Sequence, residues 1–78
     1  MLNESFGEVL RQLRKEKGFS QERFGFEADL HRTYVSQLER GLKSPTLVIL
    51  SRICKALGTT MSEFVLMVEE EEGKVSKE

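Results

Sequence analysis

A row of hydrogen-bonding side chains lies in the segment Arg-Thr-Tyr-Val-Ser-Gln-Leu-Glu-Arg at residues 32–40. A helix turns by about 100° per residue, so it would gather these polar side chains on one face and the apolar ones on the other. The polar face carries Arg32, Thr33, Ser36, Gln37 and Arg40. Arg pairs with guanine and Gln with adenine in the major groove of DNA, and the first turns of this segment contain no acid. The pattern therefore favours a helix that reads base edges.

The positive charge of the chain is concentrated before residue 59. Residues 1–58 contain ten Lys or Arg and seven acids, a net charge of +3, whereas residues 59–78 contain two Lys and six Glu, a net charge of −4. The overall charge is therefore −1. Because diffusional steering depends on the local field, this total does not exclude a polyanionic partner for the first part of the chain.

Five helices must position the polar face, and apolar spacing, caps and helix breakers predict where they lie. They are expected over about residues 3–17, 21–28, 32–40, 46–57 and 62–70, with no strand, as a compact all-α fold. Ser20 and Ser62 are the expected N-caps of the second and fifth helices. Pro45 is expected in the first turn of the fourth helix, and Asp29 in a left-handed turn, which Asp tolerates better than most residues. The inward stripe of the fourth helix is Leu47, Leu50, Ile53, Cys54 and Leu57.

The small size of the domain favours association with a second copy. A chain of 78 residues makes one domain, and a domain near this size buries only about 60% of the surface that its unfolded chain exposes. The apolar run from Phe64 to Val68 covers all sides of its helix, so we expect one side to close the core and the other to meet a second copy. Phe64 and Val68 are assigned to the core. The outward residues of the dimer interface are then Met61, Leu66 and Met67.

The chain thus divides into two parts. Residues 1–68 form the predicted DNA-binding domain, which includes a C-terminal dimerisation helix. Residues 69–78 begin with four consecutive acids and are expected to fray.

Other classes of function lack the residues that they need. There is no carboxylate pair in an apolar segment, no glycine-rich phosphate loop and no nucleophile with an orienting histidine, so no enzymatic activity is expected. One His with one Cys does not make a metal site, and no cofactor is expected. For His31 a helix cap or surface role is favoured over a pH switch, and for Cys54 a place in the core is favoured over redox sensing. The longest apolar run has five residues and the first four residues lack the layout of a secretory signal, so the cytoplasm is the expected location, without a membrane partner.

Motifs along the chain resemble those of the lambda-repressor-like, Xre-type helix-turn-helix family over about residues 6–64. They are Leu13-Arg14, Lys17-Gly18, Ser20-Gln21, Ala28, Tyr34-Val35-Ser36, Leu38-Glu39-Arg40-Gly41, Pro45-Thr46-Leu47 and Ala56-Leu57-Gly58. The resemblance implies a sequence-specific regulator of transcription that binds a palindromic operator as a homodimer. Two positions depart from the family pattern, with Gly25 where alanine is usual and Asp29 where glycine is usual. We expect Gly25 still to permit close helix contact, but to weaken the second helix by about 1 kcal/mol relative to alanine.

The resemblance also implies roles for particular residues. Base edges would be read by Arg32, Thr33 and Gln37. Backbone phosphates would be contacted by Gln21, Ser36, Arg40, Lys43 and Ser44. Arg14 and Glu39 would form an internal ion pair.

The run from Asp29 to Ser36, together with the single-domain length, resembles the controller proteins of restriction-modification systems, small dimers that bind their own promoter. Phage-type repressors and antitoxins are the open alternatives within the family. A different class also stays open, a helical protein-interaction module that does not bind DNA. The expected partners are double-stranded DNA and a second copy of the chain, with RNA polymerase as a further candidate.

Overall fold

Helix-breaking residues divide the chain into five helices close to the predicted places. The computed structural model describes residues 1–76. Its helices are α1 (Leu2–Glu16), α2 (Gln21–Ala28), α3 (Arg32–Glu39), α4 (Leu47–Leu57) and α5 (Met61–Ser76). The predicted all-α fold of five helices is therefore confirmed.

The α2–α3 unit begins and turns as the sequence predicts. Ser20 Oγ accepts a hydrogen bond from Arg23 N at 3.0 Å, which satisfies a donor in the first turn of α2. Asp29 follows α2 with φ 58° and ψ 48°, the left-handed conformation that was expected there. The chain therefore turns within residues 29–31 and enters α3.

The start of α4 differs from the prediction. Thr46 Oγ1 accepts a hydrogen bond from Ile49 N at 3.2 Å, so Thr46 is the N-cap of α4. Pro45 consequently lies before the helix and not in its first turn. The Thr46 hydroxyl accepts a hydrogen bond from a backbone N–H that has no partner within the helix, whereas proline contributes only a favourable φ. The hydroxyl therefore decides where α4 begins.

The start of α5 also differs, because a capping box forms two residues before the predicted N-cap. Thr60 Oγ1 accepts from Glu63 N, and Glu63 Oε1 accepts from Thr60 N, both at 3.1 Å. This reciprocal pair satisfies two backbone donors at once. Thr60 therefore takes the place at the helix start that was predicted for Ser62.

α5 extends six residues beyond its predicted end. It continues through Ser76, so the expectation of a frayed tail does not hold for residues 71–76, and the boundary placed after residue 68 falls inside a helix. Ser5 Oγ donates to Glu72 Oε1 at 2.6 Å and ties this part of α5 to α1. The partners are 67 residues apart, so no local pattern could indicate the bond. Residues 77 and 78, the end of the predicted tail, lie outside the described residues.

Apolar side chains from all five helices form one core. The largest fully buried ones are Phe24, Phe64, Leu10, Leu38, Ile53 and Val35. Phe6 and Phe64 join α1 to α5 with ring centroids 5.1 Å apart. Leu47, which was expected to point inward, is 73% exposed. It is the first residue of α4 and lies one turn before Leu50, so it falls at the edge of the core.

Candidate nucleic-acid interface

Backbone contacts close the turn between α2 and α3. Leu30 N donates to Gly25 O at 2.7 Å. A Cβ atom on Gly25 would lie 2.5 Å from Leu30 O, which the backbone could avoid only by shifting. The close approach leaves no room for a side chain, so the expected close contact at Gly25 is present, and it opposes the helix-propensity advantage expected for alanine.

α3 has a buried side and an outer side. Val35 and Leu38 are buried in the core. The polar residues of the predicted row lie exposed or half-buried on the outer side and are Arg32, Thr33, Ser36, Gln37 and Arg40. Lys43 and Ser44 follow in an exposed loop before α4. The structure thus brings the row together at one surface, which we call the polar row of α3.

The polar row has donors that are not used within the domain. Among residues 1–76, no hydrogen bond or ion pair engages the side chains of Arg32, Gln37, Arg40 and Lys43. On α2, by contrast, Arg23 Nε lies 2.8 Å from Glu27 Oε2. An unpaired guanidinium keeps all of its donors for a ligand. The polar row therefore offers positive charge and free donors to a polyanion.

His31 holds the first turn of α3. Its Nδ1 accepts a hydrogen bond from Thr33 N at 3.1 Å, so His31 is the N-cap, as one of the two favoured interpretations predicted. Nδ1 accepts only while it carries no proton. The bond fixes the backbone at the start of α3, where the base-reading candidates Arg32 and Thr33 lie.

A buried ion pair lies behind the polar row. Arg14 Nε is 2.5 Å from Glu39 Oε2, and Arg14 Nη2 is 3.0 Å from Glu39 Oε1. The two side chains are only 9% and 4% exposed. The remaining nitrogen, Nη1, donates to Phe19 O at 2.8 Å. This bidentate pair, which the family resemblance implies, joins α1 to the end of α3.

Two of the predicted phosphate-contacting residues have partners inside the domain. Gln21 Nε2 donates to Glu39 Oε1 at 3.0 Å, and Ser44 Oγ donates to Asn3 Oδ1 at 2.8 Å. Sequence reasoning missed both bonds because the partners are 18 and 41 residues apart. Gln21 is nevertheless half-buried and Ser44 exposed, so both residues reach the surface.

A second candidate surface lies on α5. Met61, Val65 and Leu66 are exposed, and we call these three residues together the apolar face of α5. Met67, which was expected to point outward, packs against the core instead. Val65 was missed, although its spacing of four from Met61 is the signal of a shared helix face.

Residues 1–76 also bear on three other kinds of site, a membrane span, a metal site and a reactive thiol. Within residues 1–76, no helix is long and apolar enough to cross a bilayer, and no three His, Cys, Asp or Glu side chains lie close enough together to hold a metal ion. Cys54 is buried, and this burial raises the pKa of its thiol. A raised pKa disfavours the reactive thiolate, which agrees with a place in the core.

Fold and surface together define a class of protein. Two helices joined by a tight turn, the second with free donors on its outer side, form a helix-turn-helix DNA-binding unit. A helix-turn-helix family model matches residues 10–64. The chain therefore belongs to the Xre-type helix-turn-helix family of DNA-binding transcriptional regulators.

The relatives indicate a narrower group. The chain is 50% identical over 54 residues to control protein C.BamHI of Bacillus amyloliquefaciens, with 68% of this chain and 67% of the relative covered. It is 46% identical over 67 residues to control protein C.MunI of Mycoplasma sp, with 85% and 90% covered. The structure of the restriction-modification controller protein C.Esp1396I, a tetramer in complex with its natural 35 base-pair operator, superposes with a TM-score of 0.82 at 32% identity over 91% of this chain and 93% of that chain. The chain is thus similar to restriction-modification controller proteins.

Proposed function

We propose that the protein is a restriction-modification controller, a homodimer that binds a palindromic operator beside its own gene and regulates transcription there. The polar row of α3 is the observation that carries the proposal, because its donors are exposed or half-buried, unpaired within the domain and gathered at one helix. An interaction module that does not bind DNA would have no need of this arrangement. The similarity to control proteins supports the same function.

The residues proposed to contact DNA divide by position into reading and anchoring groups. Arg32 is the first residue of α3, the end that enters the major groove in this architecture, and its guanidinium fork can pair with O6 and N7 of one guanine. Thr33 and Gln37 lie beside it on the same side of the helix. The residues proposed to anchor phosphates are Gln21, Ser36, Arg40, Lys43 and Ser44.

The apolar face of α5 supports the proposed homodimer. Met61, Val65 and Leu66 are exposed on a helix whose other side closes the core. A two-fold interface repeats each contact, so one such face is enough to build it. Two copies would then place their α3 helices on half-sites about 10 base pairs apart, or at a multiple of this spacing.

Selection of bound duplexes from a random pool, followed by affinity measurements, tests DNA binding and the two groups of residues. Arg32→Ala should cost about 1–3 kcal/mol and relax the base preference at one position of each half-site. Lys43→Ala should weaken binding to every duplex alike, because a phosphate contact carries no sequence information. Lys55→Ala, an exposed lysine of α4 outside the polar row, is the matched control. Equal losses for Arg32→Ala on all base variants would place Arg32 in the phosphate group.

The salt dependence gives an independent test of the basic surface. Each phosphate that the protein neutralises should add about −0.9 to the slope of log affinity against log salt, and Lys43→Ala should make that slope less steep. An affinity that stays constant between low and moderate salt would contradict the proposed surface.

The controller function itself is tested with the DNA that flanks the gene. We expect the protein to bind the flanking promoter and to change transcription of a neighbouring endonuclease or methyltransferase gene. Binding to a promoter without such neighbours would favour a phage-type repressor or an antitoxin-like regulator. A contact with RNA polymerase stays a prediction, and activation of transcription in a purified system would support it.

A further inference from the structure

Glu39 is the centre of a hydrogen-bond network that joins three helices. Its carboxylate accepts two bonds from Arg14 of α1 and one from Gln21, the first residue of α2. Glu39 itself is the last residue of α3 and its side chain is only 4% exposed. An ion pair that only joined α1 to α3 would not need the third bond. The network therefore reaches from the interior to a residue proposed to contact DNA.

The bond to Glu39 determines which way the Gln21 carboxamide faces. A carboxylate accepts hydrogen bonds and cannot donate them, so the amide nitrogen of Gln21 turns toward Glu39 and the amide oxygen turns away. One proton of that nitrogen is used at 3.0 Å. The second proton remains, and Gln21 is half-buried at the first turn of α2, where the helix dipole also favours an anion.

We propose that Glu39, held by Arg14, is a positioning residue for DNA binding. It fixes the Gln21 carboxamide so that the second amide proton stays available to a backbone phosphate. A free carboxamide would also sample the reversed orientation, in which its oxygen repels the phosphate, and it would lose rotamer freedom on binding. This inference rests on the proposed function, since it concerns the phosphate contact of Gln21.

The test uses operator duplexes in which one phosphate at a time is replaced by an uncharged methylphosphonate. Wild-type affinity should fall about tenfold or more at the phosphate that Gln21 contacts, as expected for a bond to a charged group. Gln21→Met, which has similar length but no donor, should lose this sensitivity and thereby identify the phosphate. Arg14→Met combined with Glu39→Leu removes both charges together, so no unpaired charge is left in the interior. This double variant keeps Gln21 but should be less sensitive than wild type at that phosphate.

The outcomes separate the inference from the proposed function. A double variant that is as sensitive as wild type at the identified phosphate would overturn the positioning role. Equal sensitivity of wild type and Gln21→Met at every phosphate would overturn it too, because Gln21 would then make no phosphate contact. A wild-type protein that selects no duplex would overturn the proposed function, and the inference with it.

A measurement on the free wild-type protein keeps the inference testable if the double variant does not fold. The side-chain amide proton of Gln21 that is bonded to Glu39 should exchange with solvent more slowly than either amide proton of Gln12, since the bond from Gln21 ends on a buried carboxylate. Gln12 is the matched control, because its Nε2 donates to Glu16 at 3.4 Å on the exposed side of α1. If neither amide proton of Gln21 exchanges more slowly than those of Gln12, Glu39 does not hold Gln21 and the proposal is overturned.

Discussion

The α2–α3 unit and the outer side of α5 expose opposite chemistry. The first presents free cationic and amide donors above a buried ion pair, whereas the second presents valine, leucine and methionine side chains. Their parts of the chain also differ in charge, with +3 over residues 1–58 and −4 over residues 59–78. DNA is therefore attracted to the first region and repelled by the second.

This difference shows which partner each surface suits. Exposed positive charges strengthen binding to DNA, because each phosphate that they neutralise releases counterions. A second protein copy gains from apolar area that leaves water. The exposed donors of the polar row therefore suit DNA, and the exposed apolar face of α5 suits a second copy of the chain. One small domain thus has two surfaces for two different partners.

The largest expected effect is the loss of the buried ion pair. Arg14→Ala should lower the free energy of unfolding by about 3–5 kcal/mol, because it leaves the Glu39 carboxylate buried without its partner. Arg23→Ala is the matched control, and it should cost less than about 1 kcal/mol because the side chains of the Arg23–Glu27 pair are 61% and 35% exposed. Urea unfolding at one protein concentration measures both losses, and equal losses would contradict the structural difference between the two pairs.

The second effect concerns the apolar face of α5. Leu66→Asp should weaken the dimer at least about tenfold, because a two-fold interface receives the new charge twice. Phe26→Asp places the same charge at an apolar residue of α2 that is 81% exposed, and it should leave the dimer unchanged. Sedimentation equilibrium measures both dissociation constants. If the dimer tolerates Leu66→Asp, its interface lies elsewhere.

Two helix glycines provide a smaller and opposite pair of effects. Gly25→Ala should lower the free energy of unfolding by about 1–3 kcal/mol, since the new Cβ would meet the backbone of Leu30. Gly73→Ala should raise it by about 0.5–1 kcal/mol, because nothing lies within 4 Å of a Cβ there and alanine favours the helix. Thermal unfolding of the two variants shows whether each substitution raises or lowers the stability. A stabilising Gly25→Ala would mean that the turn after α2 has room for a side chain.

The smallest effect is the pH dependence of the α5 cap. Hydrogen bonds from the Thr60 backbone and from the Thr59 and Thr60 hydroxyls lower the pKa of Glu63. Because the folded state has the lower pKa, the cap stabilises the fold above the ordinary glutamate pKa, and this contribution is lost as pH falls through the lowered pKa. Glu63→Gln should therefore be less stable than wild type at neutral pH, with a difference that shrinks in acid. A difference that is constant with pH would contradict the role of the charged carboxylate.

Local patterns predicted the parts of the fold and site that depend on near neighbours. The Ser20 cap and the left-handed Asp29 involve residues within about one helical turn, and the polar row of α3 follows from helix periodicity over residues 32–40. The α5 start was misplaced for a related reason, since Thr60 and Ser62 are both acceptable caps and only the reciprocal bond with Glu63 decides between them. Met67 and Leu47 were misassigned because helical spacing shows which residues share a face but not how far the core extends along it.

The sequence by itself determined the helix order, the polar row and the family, because helix periodicity, capping and turn chemistry act between residues close along the chain. Tertiary structure alone decided that Glu39 holds Gln21 and that Ser5 ties α5 to α1 as far as Glu72. It also decided that Gly25 has no room for a Cβ, a constraint imposed by the folded turn at Leu30. Each of these contacts joins groups that only packing of the helices, or the closed turn between them, brings within a few ångströms.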